Sequence, residues 1–327
     1  MSARRIGLGI VTYALGIHLR QAWAGRHAGL SPALAFFEEC RRLGAGGMQF
    51  DLRVADEPHV SELRRRLETE GMFFEGIVSP PRAEEDVSRF ERDITLAQQA
   101  GASLARTVIM PGRRYEEFKT IKEFRRAEVA AVRSLELAEP VLARHRFRIA
   151  VENHKDHRVA ERLRLFEHLG SEWIGACVDV GNNLALLEEP VETVRAFAPW
   201  AFTMHLKDHG LRASESGFLL ADAALGEGYL DLPGMVRILC EAKPAMRFGL
   251  EVITRDALEV PVLTPGYWAT FSDVSARELA ATLAAVKAHA APAPFPLLSR
   301  EPPEAQLKAE LRNVEVSLTY ARDTLGL

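Results

Sequence analysis

The sequence predicts a closed (β/α)8 TIM barrel with a C-terminal helical extension. Two observations carry that expectation. Eight short apolar runs, each followed by a helix-forming segment, recur over roughly 250 residues, and strands alternating with helices at this spacing imply a parallel sheet that closes on itself. Four successive runs also finish in a reactive side chain, Glu152, Asp179, His205 and Glu251, which is where such a barrel carries its site. The alternative is an open doubly wound sheet. No GxGxxG follows the first run, which argues against it.

The first strand is expected at residues 6–11. Ser31-Pro32 offers a helix cap with proline at the first helical position, opening a helix through Leu43. Residues 46–51 form a short second strand, and residues 59–70 an arginine-rich amphipathic helix stopped by Gly71. A third strand at 72–78 ends in Ser79-Pro80-Pro81, followed by a helix at 84–100 and a fourth strand at 104–110. The longest helical stretch runs from Tyr115 to about Arg144, with Pro140 expected to break or kink it. Strands at 148–152, 174–178, 202–206 and 248–252 then alternate with helices at 158–169, 190–198 and 232–241. Residues 1–290 therefore form the barrel, with an alanine-rich helix at 275–290. Residues 291–327 form a stiff proline-rich linker and a last helix at 303–325, packed on the barrel or on a neighbouring subunit, so a homo-oligomer is expected.

Composition narrows the function. Of 327 residues, 41 are basic and 45 acidic, a net charge of −4, so no basic excess is present to neutralise a nucleic-acid backbone. Beyond the N-terminal run, no apolar run approaches the roughly 18 residues of a membrane span. The three cysteines, Cys40, Cys177 and Cys240, lie in apolar periodic runs and read as buried free thiols. At the N-terminus, Arg4-Arg5, an apolar run and Ala22-Trp23-Ala24 imitate a signal peptide. Thr12, Tyr13 and His18 interrupt the run. It is taken as the first strand, and the protein as cytoplasmic.

Three carboxylates and one imidazole converging at adjacent strand ends make a hard, mostly oxygen site. It suits one divalent cation, Mn²⁺ first, with Mg²⁺, Co²⁺ or Zn²⁺ as alternatives. Singly, each residue reads as a helix cap or a structural histidine; together they do not, because buried carboxylates are costly unless paired or metal-bound. The segments VENHKD, CVDVGNNLALLEEP, HLKD and GEGYLDLPG resemble those of the sugar isomerase/epimerase superfamily of xylose isomerase-like TIM barrels, over roughly residues 1 to 290. The resemblance implies a Glu152–Asp179–His205–Glu251 metal set and a small keto-sugar or sugar acid as substrate, reacting through an enediolate. It implies Glu152 and Glu251 as the catalytic pair, one removing an α-proton and the other returning one, as isomerase or epimerase.

The chain departs from the ketose epimerases at Asn182, where they carry histidine. Lys155 and Lys207 near the metal suit an anionic substrate or a developing oxyanion, which keeps a metal-dependent decarboxylase of a 3-oxo-sugar acid as the alternative. Lys207 and Asp208 pairing with each other at the rim is the plainer reading of those two. Asn153, His154, Lys155, Asn182, Lys207 and Asp208 are the expected substrate-binding residues. Glu75 reads as either a substrate-side or a rim residue, and Gly226-Glu227-Gly228 as a phosphate cradle or a plain turn. Tyr267 and Trp268 either close the pocket or anchor the C-terminal helix. The endonuclease branch of the same barrel needs more histidines than DVGNN supplies. A barrel that binds sugar without turnover would not need four metal ligands.

Overall fold

The structure, a computed structural model, describes residues 7–21 and 29–327. Strand β1 (Leu8–Val11) leads through α1 (Gly16–Gln21) to α2 (Pro32–Arg42). Strand β2 (Gly47–Phe50) is followed by α3 (Val60–Glu70), β3 (Phe73–Ile77) by α4 (Val87–Gln99), and β4 (Leu104–Thr107) by α5 (Ile121–His145). Next come β5 (Arg148–Glu152) with α6 (Val159–Leu169) and β6 (Ile174–Asp179) with α7 (Pro190–Phe197). Strand β7 (Ala201–Leu206) runs into a hairpin, β8 (Asp208–Ala213) and β9 (Phe218–Ala223), before α8 (Leu232–Ala242). Strand β10 (Phe248–Leu250) is followed by β11 (Leu258–Val260), α9 (Ala276–Ala288) and α10 (Pro303–Tyr320).

The strands β1 to β7 and β10 close a parallel barrel, with β10 lying between β7 and β1. The register sets the site. Glu152 lies opposite Cys177, Asp179 opposite His205, and His205 opposite Gly249. The barrel strands are buried at all but a few positions because the helices cover their outer face, which is why they read as apolar runs rather than alternating ones. Phe36, Phe37, Phe90, Phe147, Phe166 and Phe197 are fully buried in the main core. Each such ring stabilises the fold by about 1.5–3 kcal/mol.

Local chemistry fixes the helix ends. Ser31 accepts from Leu34 N with Pro32 at the first position, and Gly71 closes α3 at φ +66°. Two expectations are corrected. The long stretch from Tyr115 is divided at Phe118–Thr120, where Thr120 and Glu123 form a reciprocal cap, and α5 then runs unbroken through Pro140. Buried Leu135, Ala138, Val141 and Leu142 hold it across the missing N–H. Outside the barrel, β8, β9 and β11 form a three-stranded antiparallel sheet at residues the sequence reading left as loops and strand ends.

The C-terminal segment packs on this chain's own barrel. Ala291 N donates to Leu211 O at 2.7 Å. Glu310, buried on α10, accepts from Ile17 N at 2.7 Å, His18 N at 2.8 Å and His18 Nδ1 at 2.9 Å. No helix among the described residues is long and apolar enough to cross a membrane. Arg4-Arg5, Ile6 and Ala22–Ala24 of the signal-like pattern lie outside the described residues.

Candidate metal centre and active site

Residues at the carboxyl ends of parallel barrel strands point into one mouth, and four of them meet here. Glu152 ends β5, Asp179 ends β6, His205 lies near the end of β7 and Glu251 follows β10. All four are buried, and one donor atom from each lies within 4.8 Å of the others. His205 Nδ1 stands 3.4 Å from Glu152 Oε2 and 3.2 Å from Glu251 Oε1. Three carboxylates this close, out of water, need positive charge.

Two buried cations supply part of it. Arg106, at the end of β4, pairs with Glu152 Oε2 through its Nε and Nη2. Lys207 Nζ sits 2.7 Å from Asp179 Oδ2 and 2.7 Å from Glu251 Oε2. Burial raises Asp179 to about 6 against the pull of Lys207. For Glu152 and Glu251 burial is likewise the largest single influence, but Arg106 and Lys207 respectively, together with the other positive and hydrogen-bonding neighbours, hold both below the usual carboxylate range.

The donor set fits a divalent cation. His205 Nδ1 is buried and without a hydrogen-bond partner, and the Lys207 ammonium, 2.7 Å from Asp179 Oδ2 and from Glu251 Oε2, shows that the cluster takes a cation. The imidazole is oriented from behind. His205 Nε2–H donates to Gln49 Oε1 at 2.9 Å, and Gln49 Nε2 donates to Glu75 Oε2 at 3.0 Å. Thr203 Oγ1 donates to the same Glu75 oxygen at 3.0 Å. Since the Gln49 amide gives its N–H to Glu75, its oxygen faces His205, which leaves Nδ1 as the free ligand atom. Gln49→Leu is expected to lower Mn²⁺ affinity by about 10–100-fold. Titration calorimetry checks this, and an unchanged affinity would remove the orienting role.

The loops after β5 and β6 are locked together. Asn153 accepts from Asp179 N at 2.7 Å and donates to Asp179 O at 2.8 Å and Asn183 Oδ1 at 2.9 Å. Asp179 Oδ1 accepts from Gly181 N at 3.1 Å and Asn182 N at 3.0 Å. Only glycine fits at 181, because a Cβ there would lie 2.2 Å from His209 Cδ2. Asn182 Nδ2 donates to Glu152 Oε1 at 3.3 Å, and its Oδ1 accepts from Lys155 Nζ. Lys155 is buried, with φ +61°, a backbone region costly for a side-chain-bearing residue. Burial, then Lys207, bring its amine down to about 8.

Asp156 anchors this loop through Arg162 Nη2, at 2.8 and 2.9 Å. Burial is the largest single influence and opposes its charge, but Arg162, His157 and the His157 backbone amide together hold it at about 2. A carboxylate depressed in the fold stabilises it above the unfolded pKa of about 4, by about 2–3 kcal/mol, and that contribution is lost as pH falls through about 2. Urea unfolding of wild type and Asp156→Asn is therefore expected to differ at pH 6 and to converge near pH 2.

The remaining expected residues divide. His154 lies beside Glu152 with its Nδ1 unpartnered, its pKa lowered by burial. Asp208 does not pair with Lys207. Its oxygens accept from the amides of His209, Gly226, Gly228 and Leu230, at 2.8 to 3.1 Å. The glycine loop thus already holds an anion of the chain itself. Glu75 is buried behind His205 rather than at the rim. Tyr267 donates to Ala185 O and Trp268 to Val262 O, both at 2.9 Å, as packing anchors. Cys40 and Cys177 are buried free thiols and Cys240 a half-buried one. Cys177 also lies beside Glu152 and His205, and burial raises its thiol to about 11. Arg106 and Gln49 were missed. Their signal was a polar side chain inside a short apolar strand, LART and GMQF.

The fold is a closed parallel (β/α)8 barrel whose mouth carries a cluster of residues that could hold a metal ion. The chain belongs to the xylose isomerase-like TIM barrel family, whose model matches residues 37–270. Among solved structures it is similar to D-psicose 3-epimerase determined in the presence of D-fructose. That match has 12% identity and TM-score 0.58, covering 98% of this chain and 100% of that one. It is also similar to a xylose isomerase-like TIM barrel protein from Mycobacterium smegmatis in complex with magnesium. There the identity is 17% and the TM-score 0.54, over 85% of this chain and 97% of that one. A curated relative, 3-oxo-isoapionate decarboxylase of Pectobacterium atrosepticum, is 28% identical over 94 residues. The match spans 28% of this chain and about a third of that protein, 34%.

Proposed function

We propose that the chain is a metal-dependent enzyme acting on a small 3-oxo-sugar acid through an enediolate, with loss of CO₂. The observation that carries this reading is the distribution of charge. Both glutamates that a proton-shuttling epimerase needs free are held by buried cations, Glu152 by Arg106 and Glu251 by Lys207. Of the two buried amines described at the cluster, Lys207 is paired with carboxylates, while Lys155, beside Asn182, has none within ion-pair distance. The short match to a decarboxylase supports the same reading.

A divalent cation held by Glu152, Asp179, His205 and Glu251 would supply positive charge to the substrate carbonyl oxygen. The bond between the α-carbon and the carboxylate breaks, its electron pair enters the carbonyl to give the enediolate, and CO₂ departs. Lys155, as the ammonium, gives its proton to the α-carbon and recovers one from solvent. Lys207 lies between Asp179 and Glu251, His154 lies beside Glu152, and Asn182 holds Lys155 in place. Burial keeps the amine near neutrality, where it serves as a proton donor.

Epimerisation or isomerisation is the second reading, favoured because Glu152 and Glu251 face one cluster from separate strands. Proton NMR in D₂O with Mn²⁺-loaded protein separates the two. Three-oxo-sugar acids are expected to release CO₂ and to leave one deuterium in the shortened product. Lys155→Met is expected to slow turnover by about 10²–10⁴-fold with Mn²⁺ affinity unchanged. Deuterium exchange in ketoses at constant mass formula, abolished by Glu251→Gln, would establish the epimerase instead.

A further inference from the structure

Strand β6 carries a second reactive side chain below Asp179. Residues two apart on a strand share a face, so Cys177 lies on the same side of β6 as Asp179. The register puts Asp179 opposite His205, whereas Cys177 lies opposite Glu152 on one side and Thr203 on the other. Cys177 therefore sits one layer deeper in the barrel than Asp179. It is fully buried, as are Glu152 and His205. One donor atom from each of Glu152, Cys177 and His205 lies within 4.8 Å of the others.

The chemistry of this trio differs from that of the four residues above it. A thiol, an imidazole and one carboxylate are the donors zinc-like ions prefer, while three carboxylates and an imidazole suit harder cations. Leu104, Ala150 and Phe202 pack about the sulfur. Such an apolar wall suits a low coordination number rather than a shell of six oxygens. Distances agree. Bonds of about 2.0–2.3 Å around a tetrahedral ion put its ligand atoms roughly 3.3–3.8 Å apart. His205 Nδ1, buried and unpartnered, stands 3.4 Å from Glu152 Oε2. Lys207 bridges Asp179 and Glu251, neither of which the trio uses, so its ammonium does not compete here. An ion in either set shares Glu152 with Arg106.

We propose that Glu152, Cys177 and His205 form a second, overlapping metal site that takes a thiophilic divalent cation such as Zn²⁺ or Cd²⁺. Binding breaks the S–H bond, forms a sulfur–metal bond and releases one proton to solvent, with no change of oxidation state. Because Glu152 and His205 belong to both sets, an ion held here excludes a hard cation from the outer one. The barrel thus sorts cations by depth, hard ions among the carboxylates at the mouth and soft ones a layer below. The inference stands on the ligand set alone and is the same whether the chain decarboxylates, epimerises or does neither.

The test is Cd²⁺ titration of the metal-free full chain, read by sulfur-to-metal charge-transfer absorption in the ultraviolet. Cys240, half-buried on α8, is first replaced by Cys240→Ser so that its thiol does not contribute. A charge-transfer band that saturates at one Cd²⁺ per chain is expected. Cys177→Ser in that background is expected to lose the band and to bind Cd²⁺ at least about tenfold more weakly, with Mn²⁺ affinity by calorimetry unchanged. Added Mn²⁺ is expected to raise the Cd²⁺ midpoint, as competition for shared ligands requires. Absence of a band would overturn the site, as would a band that survives Cys177→Ser or a midpoint indifferent to Mn²⁺ that binds. The band and the competition are read in the chain that keeps Cys177, so they decide the matter even where Cys177→Ser does not fold. Failure of Mn²⁺ to bind, with the band intact, would sink the proposed metal-dependent reaction alone.

Discussion

Arg106→Leu is expected to cost the metal-free protein about 3–5 kcal/mol, the range for removing one partner of a buried ion pair. Among the described residues Arg106 is the only arginine paired with Glu152, both are buried, and the guanidinium reaches one carboxylate oxygen through two nitrogens. Its removal leaves three clustered carboxylates facing the single ammonium of Lys207. The Tyr13 ring, over which the guanidinium lies at 5.5 Å, loses its partner as well. Urea unfolding in the presence of a chelator reads the loss directly. Saturating Mn²⁺ is expected to recover part of it, because a ligand that binds only the folded state stabilises it by mass action. The double variant Arg106→Leu/Glu152→Gln is expected to regain most of the stability, since it removes the stranded charge. A single variant as stable as wild type in chelator would show that Glu152 takes up a proton instead.

Asp179→Ala is expected to end turnover and to weaken Mn²⁺ by more than the roughly 100-fold cost of disturbing an outer partner of a metal ligand. The carboxylate has two separable roles. Oδ1 holds the loop through the amides of Gly181 and Asn182, while Oδ2 faces the cluster and Lys207. Asp179→Asn keeps an acceptor for the loop and gives up the anionic ligand. Calorimetric Mn²⁺ titration is therefore expected to show loss in both variants, whereas thermal unfolding of the metal-free protein shows a loss mainly in the alanine variant. If the asparagine variant binds Mn²⁺ as wild type does, Asp179 is not a ligand.

The barrel was legible because each strand is an apolar run bounded by glycine, proline or a capped helix, and those are local signals. The four clustered residues were legible because they end four such runs. The residues that charge-balance and aim them were not. Arg106 and Gln49 lie within strands, and nothing local says that a polar side chain there points inward to a partner 46 or 156 residues away. The hairpin was missed for another reason. Its strands, DHGLRA and FLLADA, are short, mixed in polarity and joined by a serine-rich turn, so HLKD drew the reading toward a loop. Pro140 shows the converse, a strong local breaker overruled by burial on both sides.

The Glu310 contact has a consequence for how the molecule is held together. Helix α10 behaves as a ligand tethered to its receptor, the receptor being the two backbone amides that open α1. Residues 291–302 are the tether, and a short tether sets an effective concentration on the order of millimolar. A docking contact far too weak to survive between separate molecules is then kept closed within one chain. Cutting the chain within that tether would turn the closure into a second-order reaction. The loop that leads from β1 to α1, with Tyr13 over Arg106, would then open on dilution.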